Sequence, residues 1–313
     1  MNGLELSRAF YEQHGKPMLE REFPELLDKI AVGLFGSGSE CFGYDDPISR
    51  DHDFEPGFLI LLPGEDVLER RQEFLLERAY AKLPTSFEGF ERQKLLPVGG
   101  ARHGVFRTAE FFEKKVGAPD GVLDWRQWLS IPEQALAEAT NGTLFCDGYG
   151  EVTEIRARLR YFPEAIRRKR LAGHLLLMAQ SGPYNYTRCL RHGETGAAQL
   201  AAGEFVRGAM SVCFLLAGCY QPYYKWSFRA LRELEGFSEY AAVFERLLST
   251  GNTAPESAEK TETIERICRE LCAEVCVRIL PGQTGSEMEP LAYAVNDSIR
   301  DSEIRNLHIL AAI

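Results

Sequence analysis

Two short stretches carry residue types that can do chemistry together. Gly36-Ser37-Gly38-Ser39 closes one apolar run, and Asp51-His52-Asp53 stands before another. Glycines after a strand let the main chain approach a phosphate closely, and the N–H groups of a following helix start bind anions. Alternate residues of a strand point to one side, roughly 6.5–7 Å apart. Asp51 and Asp53 are therefore expected to project together, with His52 facing the other way. Two such carboxylates suit Mg²⁺, a hard cation that chooses oxygen ligands and bridges substrate phosphates. A pair of these ions stabilises the attacking and leaving oxygens of an in-line displacement. The expected chemistry is metal-dependent displacement at substrate phosphates.

Other residues extend this kit. Arg50 precedes the first carboxylate, placed to touch phosphate or to pair with Asp45 or Asp46. Lys225 lies in the aromatic stretch Tyr223-Tyr224-Lys225-Trp226, either as a phosphate partner or as a surface lysine with a buried stem. Tyr223 and its neighbours would stack on a base or pack in a core. Glu40, near a helix start, is read as complementing the helix dipole.

The positioning elements follow from pattern. The apolar runs 30–35 and 58–62 read as strands buried on both faces, each closed by a turn signal. A helical pattern over 66–83, extended segments near 90–97 and 103–108, and a short helix over 109–116 complete an α/β domain spanning 1–118. Residues 119–313 read as a mainly helical domain, with helices near 163–180, 196–219, 226–249 and 257–279. Asp147-Gly148 between two β-prone runs predicts a small hairpin near 143–157. The fold class expected is α+β: a small α/β domain followed by a helical bundle.

Composition narrows the partners. With 36 Lys and Arg against 46 Asp and Glu, a formal net charge of −10 disfavours duplex nucleic acid, whose phosphates need clustered cations. The basic run Arg167-Arg168-Lys169-Arg170 reads as a solvated helix face. The opening residues lack the apolar stretch of a signal peptide, and the run 210–220 is short for a membrane span, so a soluble cytoplasmic protein with no membrane partner is expected. Cys268, Cys272 and Cys276 recur every four residues, a buried helical stripe rather than a metal site.

Leu34-Phe35-Gly36-Ser37, a short spacer and Asp51-His52-Asp53-Phe54 resemble the DNA polymerase β-like nucleotidyltransferase superfamily, which includes kanamycin- and lincosamide-type antibiotic nucleotidyltransferases. Ser49–Asp53, Asp124-Trp125, Trp128-Leu129 and Tyr220–Trp226 resemble, over most of the chain, a bacterial nucleotidyltransferase-like domain family of unknown function. The resemblance implies a nucleotidyltransferase fold. It implies Asp51 and Asp53 as ligands of two Mg²⁺ ions, and Gly36, Ser37, Gly38 and Ser39 as the cradle of an NTP, ATP in the first instance. The acceptor would be a hydroxyl on a small molecule or a protein. The superfamily draws a third carboxylate from a later strand, but His103–Thr108 carries no acid. Glu110, just beyond it, is the nearest candidate for that catalytic role. Without it, a nucleotide-sensing or partner-binding protein on the same fold is the alternative.

Overall fold

The computed structural model describes residues 1–48, 54–92 and 102–313. They form two compact units, residues 1–123 with 131–160, and residues 124–130 with 161–313.

The first unit holds a four-stranded sheet. Its strands are β1 (Ala31–Leu34), β2 (Leu59–Leu62), β5 (Gly104–Arg107) and β6 (Thr143–Asp147), in the order β5-β2-β1-β6. The strands β3 (Ser86–Phe87) and β4 (Phe90–Glu91) form a separate hairpin. The first β run is buried throughout, as expected of a continuous apolar strand covered on both faces. β1 pairs antiparallel with β2, Ala31 opposite Leu61 and Gly33 opposite Leu59. β2 pairs parallel with β5, Leu59 opposite Gly104 and Leu62 opposite Arg107. These registers fix the ends of the sheet. The end of β1 lies at the start of β2, and the ends of β2 and β5 lie together at the opposite edge.

Helices α1 (Gly3–Phe10) and α2 (Lys16–Glu22), joined by the π-helical turn Tyr11–Gly15, pack their apolar stripe on this sheet. α1 opens with a reciprocal cap: the Asn2 side chain accepts from Glu5 N–H at 2.8 Å, and Glu5 accepts from Asn2 N–H at 2.9 Å. Leu6 and Phe10, one turn apart, enter the core with Phe58, Ile60 and Tyr80. Short α3 (Ser39–Phe42) follows the glycine turn, α4 (Arg70–Ala81) makes the crossover between β2 and β5, and α5 (Thr108–Val116) leaves β5.

Residues 143–157 do not form the expected hairpin. The first run is β6, which joins β1 antiparallel with Leu34 opposite Thr143 and Ala31 opposite Asp147. The second is helical. After α6 (Trp125–Ser130) and α7 (Glu133–Thr140), α8 covers Glu151–Leu159 with Val152, Ile155 and Leu159 buried. Asp147 explains the misreading: its carboxylate accepts from Gly150 N–H at 2.9 Å and from Thr153 N–H and Oγ at 2.7 Å. It organises a helix start, not a hairpin turn. Gly33 lets β6 approach, since a Cβ there would lie 2.6 Å from the Thr143 carbonyl oxygen, beside the bulge between Val32 and Gly33.

The second unit is helical: α6, α9 (Glu164–Ala179), α10 (Thr187–Arg191), α11 (Thr195–Ala217), α12 (Tyr224–Glu233), α13 (Tyr240–Ser249), α14 (Ala254–Arg278), α15 (Met288–Asp297) and α16 (Ser302–Arg305). The helix expected over 226–249 breaks in two near Gly236, whose φ of +79° is left-handed. The cysteine stripe of α14 is buried, as its spacing predicts. The basic run is not a solvated face. Lys169 is fully buried and donates to Asn296 Oδ1 at 2.8 Å and to the Leu307 carbonyl at 2.7 Å, while buried Arg170 donates to the carbonyls of Trp128 and Leu129. Helix α11 is long and apolar enough to cross a membrane by length and composition, which the shorter run 210–220 understated. Of its most apolar window 67% is buried, so this helix is the core of its unit.

Candidate functional site

The glycine turn is built by backbone that side chains resist. Gly36 and Gly38 both hold φ of +120°, a region open chiefly to glycine. At Gly38 a Cβ would meet the Glu40 carboxylate at 2.2 Å, whereas at Gly36 the nearest side-chain atom lies 3.8 Å off. Gly36 is buried, with the Phe111 ring and the Lys115 side chain in ordinary packing distance, and Gly38 is covered by the chain's own carboxylate.

Four later residues brace this turn. Asn141, just after α7, accepts from Gly36 N–H and donates to Gly36 C=O, each at 2.8 Å. Arg156 on α8 lies over the Phe35 ring at 4.5 Å and donates to the carbonyls of Thr140 and Asn141 at 2.9 and 2.5 Å. Burial, with a smaller push from Arg160, lowers its pKa to about 10, and its buried Nη1 has no hydrogen-bond partner among the described residues. From α5, Lys115 Nζ donates to Ser37 Oγ at 2.6 Å and to Glu138 Oε2 at 2.5 Å, and Ser37 Oγ donates to that same oxygen at 2.6 Å.

A second acidic group lines the turn. Glu40 is 6% exposed, and its buried Oε1 has no hydrogen-bond partner among the described residues. Burial raises its pKa, against the lowering charges of His103 and Arg102, whose Nη1 lies 3.9 Å away. Asp45 raises it further; that residue accepts from Gly3 N–H at 3.1 Å with Oδ2, leaving a buried Oδ1 without a hydrogen-bond partner among the described residues. Glu40 is the acidic residue in the first turn of α3, and α1 packs on it there: a Cβ on Gly3 would sit 2.3 Å from Glu40 Cβ. His103 pairs with Glu55 at 3.1 Å.

The expected site residues distribute as follows. Gly36, Ser37, Gly38 and Ser39 form one turn at the end of β1. Arg50, Asp51 and Asp53 lie outside the described residues. Glu110 is exposed in the first turn of α5, beyond the end of β5, beside Glu65, Arg70, Glu73 and Arg107. The registers put it at the opposite edge of the sheet from Ser37, so it does not join the turn. The strand position that an acid would take is filled at its end by Arg107, buried and paired with Glu73 at 2.6 Å. Tyr223 and Lys225 belong to the second unit. Tyr223 and Tyr224 are 43% and 75% exposed rather than packed in a core, and Lys225 Nζ lies 5.1 Å from the Trp226 ring.

Sequence reasoning missed Lys115, Glu138, Asn141 and Arg156. No motif marks them, because they reach the turn from 78 to 105 residues away or more. Among the described residues, no group of three or more His, Cys, Asp or Glu is arranged to hold a metal ion.

The site belongs to an α+β protein with a small mixed sheet and a helical C-terminal region. A family model described as "Domain of unknown function (DUF4037)" matches residues 128–227, a stretch that contains Glu138, Asn141 and Arg156. No curated protein and no solved structure matches the chain.

Proposed function

We propose that the chain is a nucleotidyltransferase on the polymerase β-like fold, moving a nucleoside monophosphate from an NTP, in the first instance ATP, to a hydroxyl on a small molecule or protein. The observation that carries this reading is the antiparallel pairing of β1 with β2. It sets the Gly36-Ser37 turn at the edge where β2 begins. The segment that leads into β2 contains Asp51 and Asp53, which precede Leu59 by eight and six residues.

The described part of the site suits a polyphosphate. Ser37 Oγ and Lys115 Nζ stand side by side as hydroxyl and ammonium donors. Asp51 and Asp53 would hold Mg²⁺, which would supply positive charge to offset that of the phosphates. The chain's own contribution is positioning: Asn141 fixes Gly36, Arg156 fixes Asn141, and Lys115 places its charge at Ser37. Cytoplasmic ATP and Mg²⁺ would supply the substrate and the metal.

Calorimetry tests the reading. ATP should bind more tightly with Mg²⁺ than with EDTA, and Asp51→Asn with Asp53→Asn should remove the difference. Labelled NTPs offered to a panel of hydroxyl acceptors should release pyrophosphate in the wild type and not in Asp53→Asn. Equal ATP affinity in the double variant would reject it. A second reading, a nucleotide sensor without catalysis, is favoured by the acid-free β5 with its buried Arg107–Glu73 pair. Metal-dependent ATP binding without transfer to any acceptor would select it.

A further inference from the structure

Ser37, Lys115 and Glu138 form a closed triangle. The Ser37 hydroxyl and the Lys115 ammonium both donate to one oxygen, Glu138 Oε2, at 2.6 and 2.5 Å, and lie 2.6 Å from each other. The two groups that would grip a phosphate therefore already grip an anionic oxygen. To a hydroxyl and an ammonium, a carboxylate oxygen and a phosphate oxygen are equivalent acceptors.

The surroundings allow the carboxylate to leave. The Glu138 and Lys115 side chains keep 23% and 19% of their exposure, so Glu138 can rotate to water while Lys115 stays. The backbone at Glu138 is meanwhile fixed, because Asn141, one helical turn on, is bonded to Gly36 on both sides of its peptide. The turn keeps its shape when the side chain swings away.

Resting on the nucleotide reading above, we infer that Glu138 is a tethered stand-in for a phosphate oxygen and sets the selectivity of the site for polyphosphates. A carboxylate anchored beside its partners competes at a high effective concentration. A lone phosphate has only the Ser37–Lys115 pair to gain and meets that competition in full. A polyphosphate held through its other phosphates by the proposed nucleotide site brings a further phosphate to the pair intramolecularly, and displaces Glu138. Glu138 is thus a specificity-determining residue that touches the ligand's partners and not the ligand.

The experiment is calorimetry on the full chain with MgATP, inorganic tripolyphosphate and orthophosphate. Glu138→Gln keeps a side chain able to bond Ser37 but removes the competing charge. It should tighten MgATP and tripolyphosphate by about fivefold or more, the low end of ordinary coupling between competing groups, and make orthophosphate binding measurable. Lys115→Met should weaken both polyphosphates by about tenfold or more, as loss of a charged donor does. Glu113→Gln, the same charge change at an exposed position of the same helix as Lys115, should leave all three within about twofold. If Glu138→Gln does not fold, as read by its melting transition, Glu138→Asp withdraws the carboxylate by one methylene and carries the same expectation. Unchanged or weaker polyphosphate binding in the Glu138 variants, or an equal gain in Glu113→Gln, overturns the inference while wild-type MgATP binding leaves the nucleotide reading standing. Failure of wild type and Glu138 variants alike to bind any polyphosphate overturns both.

Discussion

Asn141 holds Gly36 as a neighbouring strand would, accepting from its N–H and donating to its C=O, both at 2.8 Å. The amide thereby takes the place of a backbone partner at the point where β1 gives way to the turn. Asn141→Ala strips both bonds from a main-chain unit that is partly buried. The expected cost is about 1–3 kcal/mol of unfolding free energy, the range for leaving buried polar groups unmade. Urea denaturation measures it. MgATP affinity should fall with it, and a variant as stable as wild type would show that the amide does not hold the turn.

Glu110 stands at the other edge of the sheet, so its charge should matter little to the chemistry proposed here. Glu110→Gln is expected to change MgATP affinity and turnover by less than about twofold and stability by no more than about 0.5 kcal/mol, as surface substitutions do. A tenfold fall in turnover with affinity retained would return Glu110 to the site.

Glu40 predicts a pH dependence. Its carboxyl is held above the ordinary value near 4.5, chiefly by burial. The folded chain binds this proton more tightly than the unfolded chain. The stability it contributes is therefore full below about 4.5 and is lost as pH rises through the raised folded value. Glu40→Gln lacks that loss. The variant's melting temperature relative to wild type should climb from pH 4.5 to pH 8. A difference that is flat or falling with pH would contradict the buried carboxyl.

His174, on α9, predicts the opposite slope in the second unit. Burial first, then the charges of Arg170 and Arg207, depress its pKa from 6.5 to about 3, and its Nδ1 has no hydrogen-bond partner among the described residues. The unfolded chain takes up this proton first, so stability is lost as pH falls from 6.5 towards 3. The slope from one such group is at most about 1.4 kcal/mol per pH unit. His174→Met should flatten the urea midpoint between pH 7 and pH 5 relative to wild type. Parallel pH profiles would show that the imidazole charges without difficulty in the folded state.

The sequence was most readable where one local rule dominated. The strands Ala31–Leu34 and Leu59–Leu62 stood out as continuous apolar runs, and the stripe Cys268, Cys272, Cys276 stood out by helical spacing. Reading failed where a residue's partner lies far along the chain. Asp147-Gly148 has hairpin chemistry, but Asp147 spends its carboxylate on the start of α8. Lys169 and Arg170 read as solvated charge because their acceptors, backbone carbonyls of Leu307, Trp128 and Leu129, leave no mark in sequence. The candidate site divides the same way. Gly36 and Gly38 are legible as turn glycines, whereas Lys115, Glu138 and Asn141 are ordinary residues of helices and loops until β6 and α7 bring them to β1.

That long reach also orders events in time. The bond between Asn141 and Gly36 spans 105 residues. On a ribosome adding about 5–20 residues per second, this corresponds to about 5–20 seconds between synthesis of the turn and synthesis of its brace. Through that interval β1 has an unpaired edge, because β6, which closes it, is made later still. The nascent chain thus carries an open strand edge beside an unformed turn, a stage at which a chaperone or a second nascent chain could pair with it. Contacts so distant in sequence slow folding generally, and the assembly of the candidate site depends on one of them.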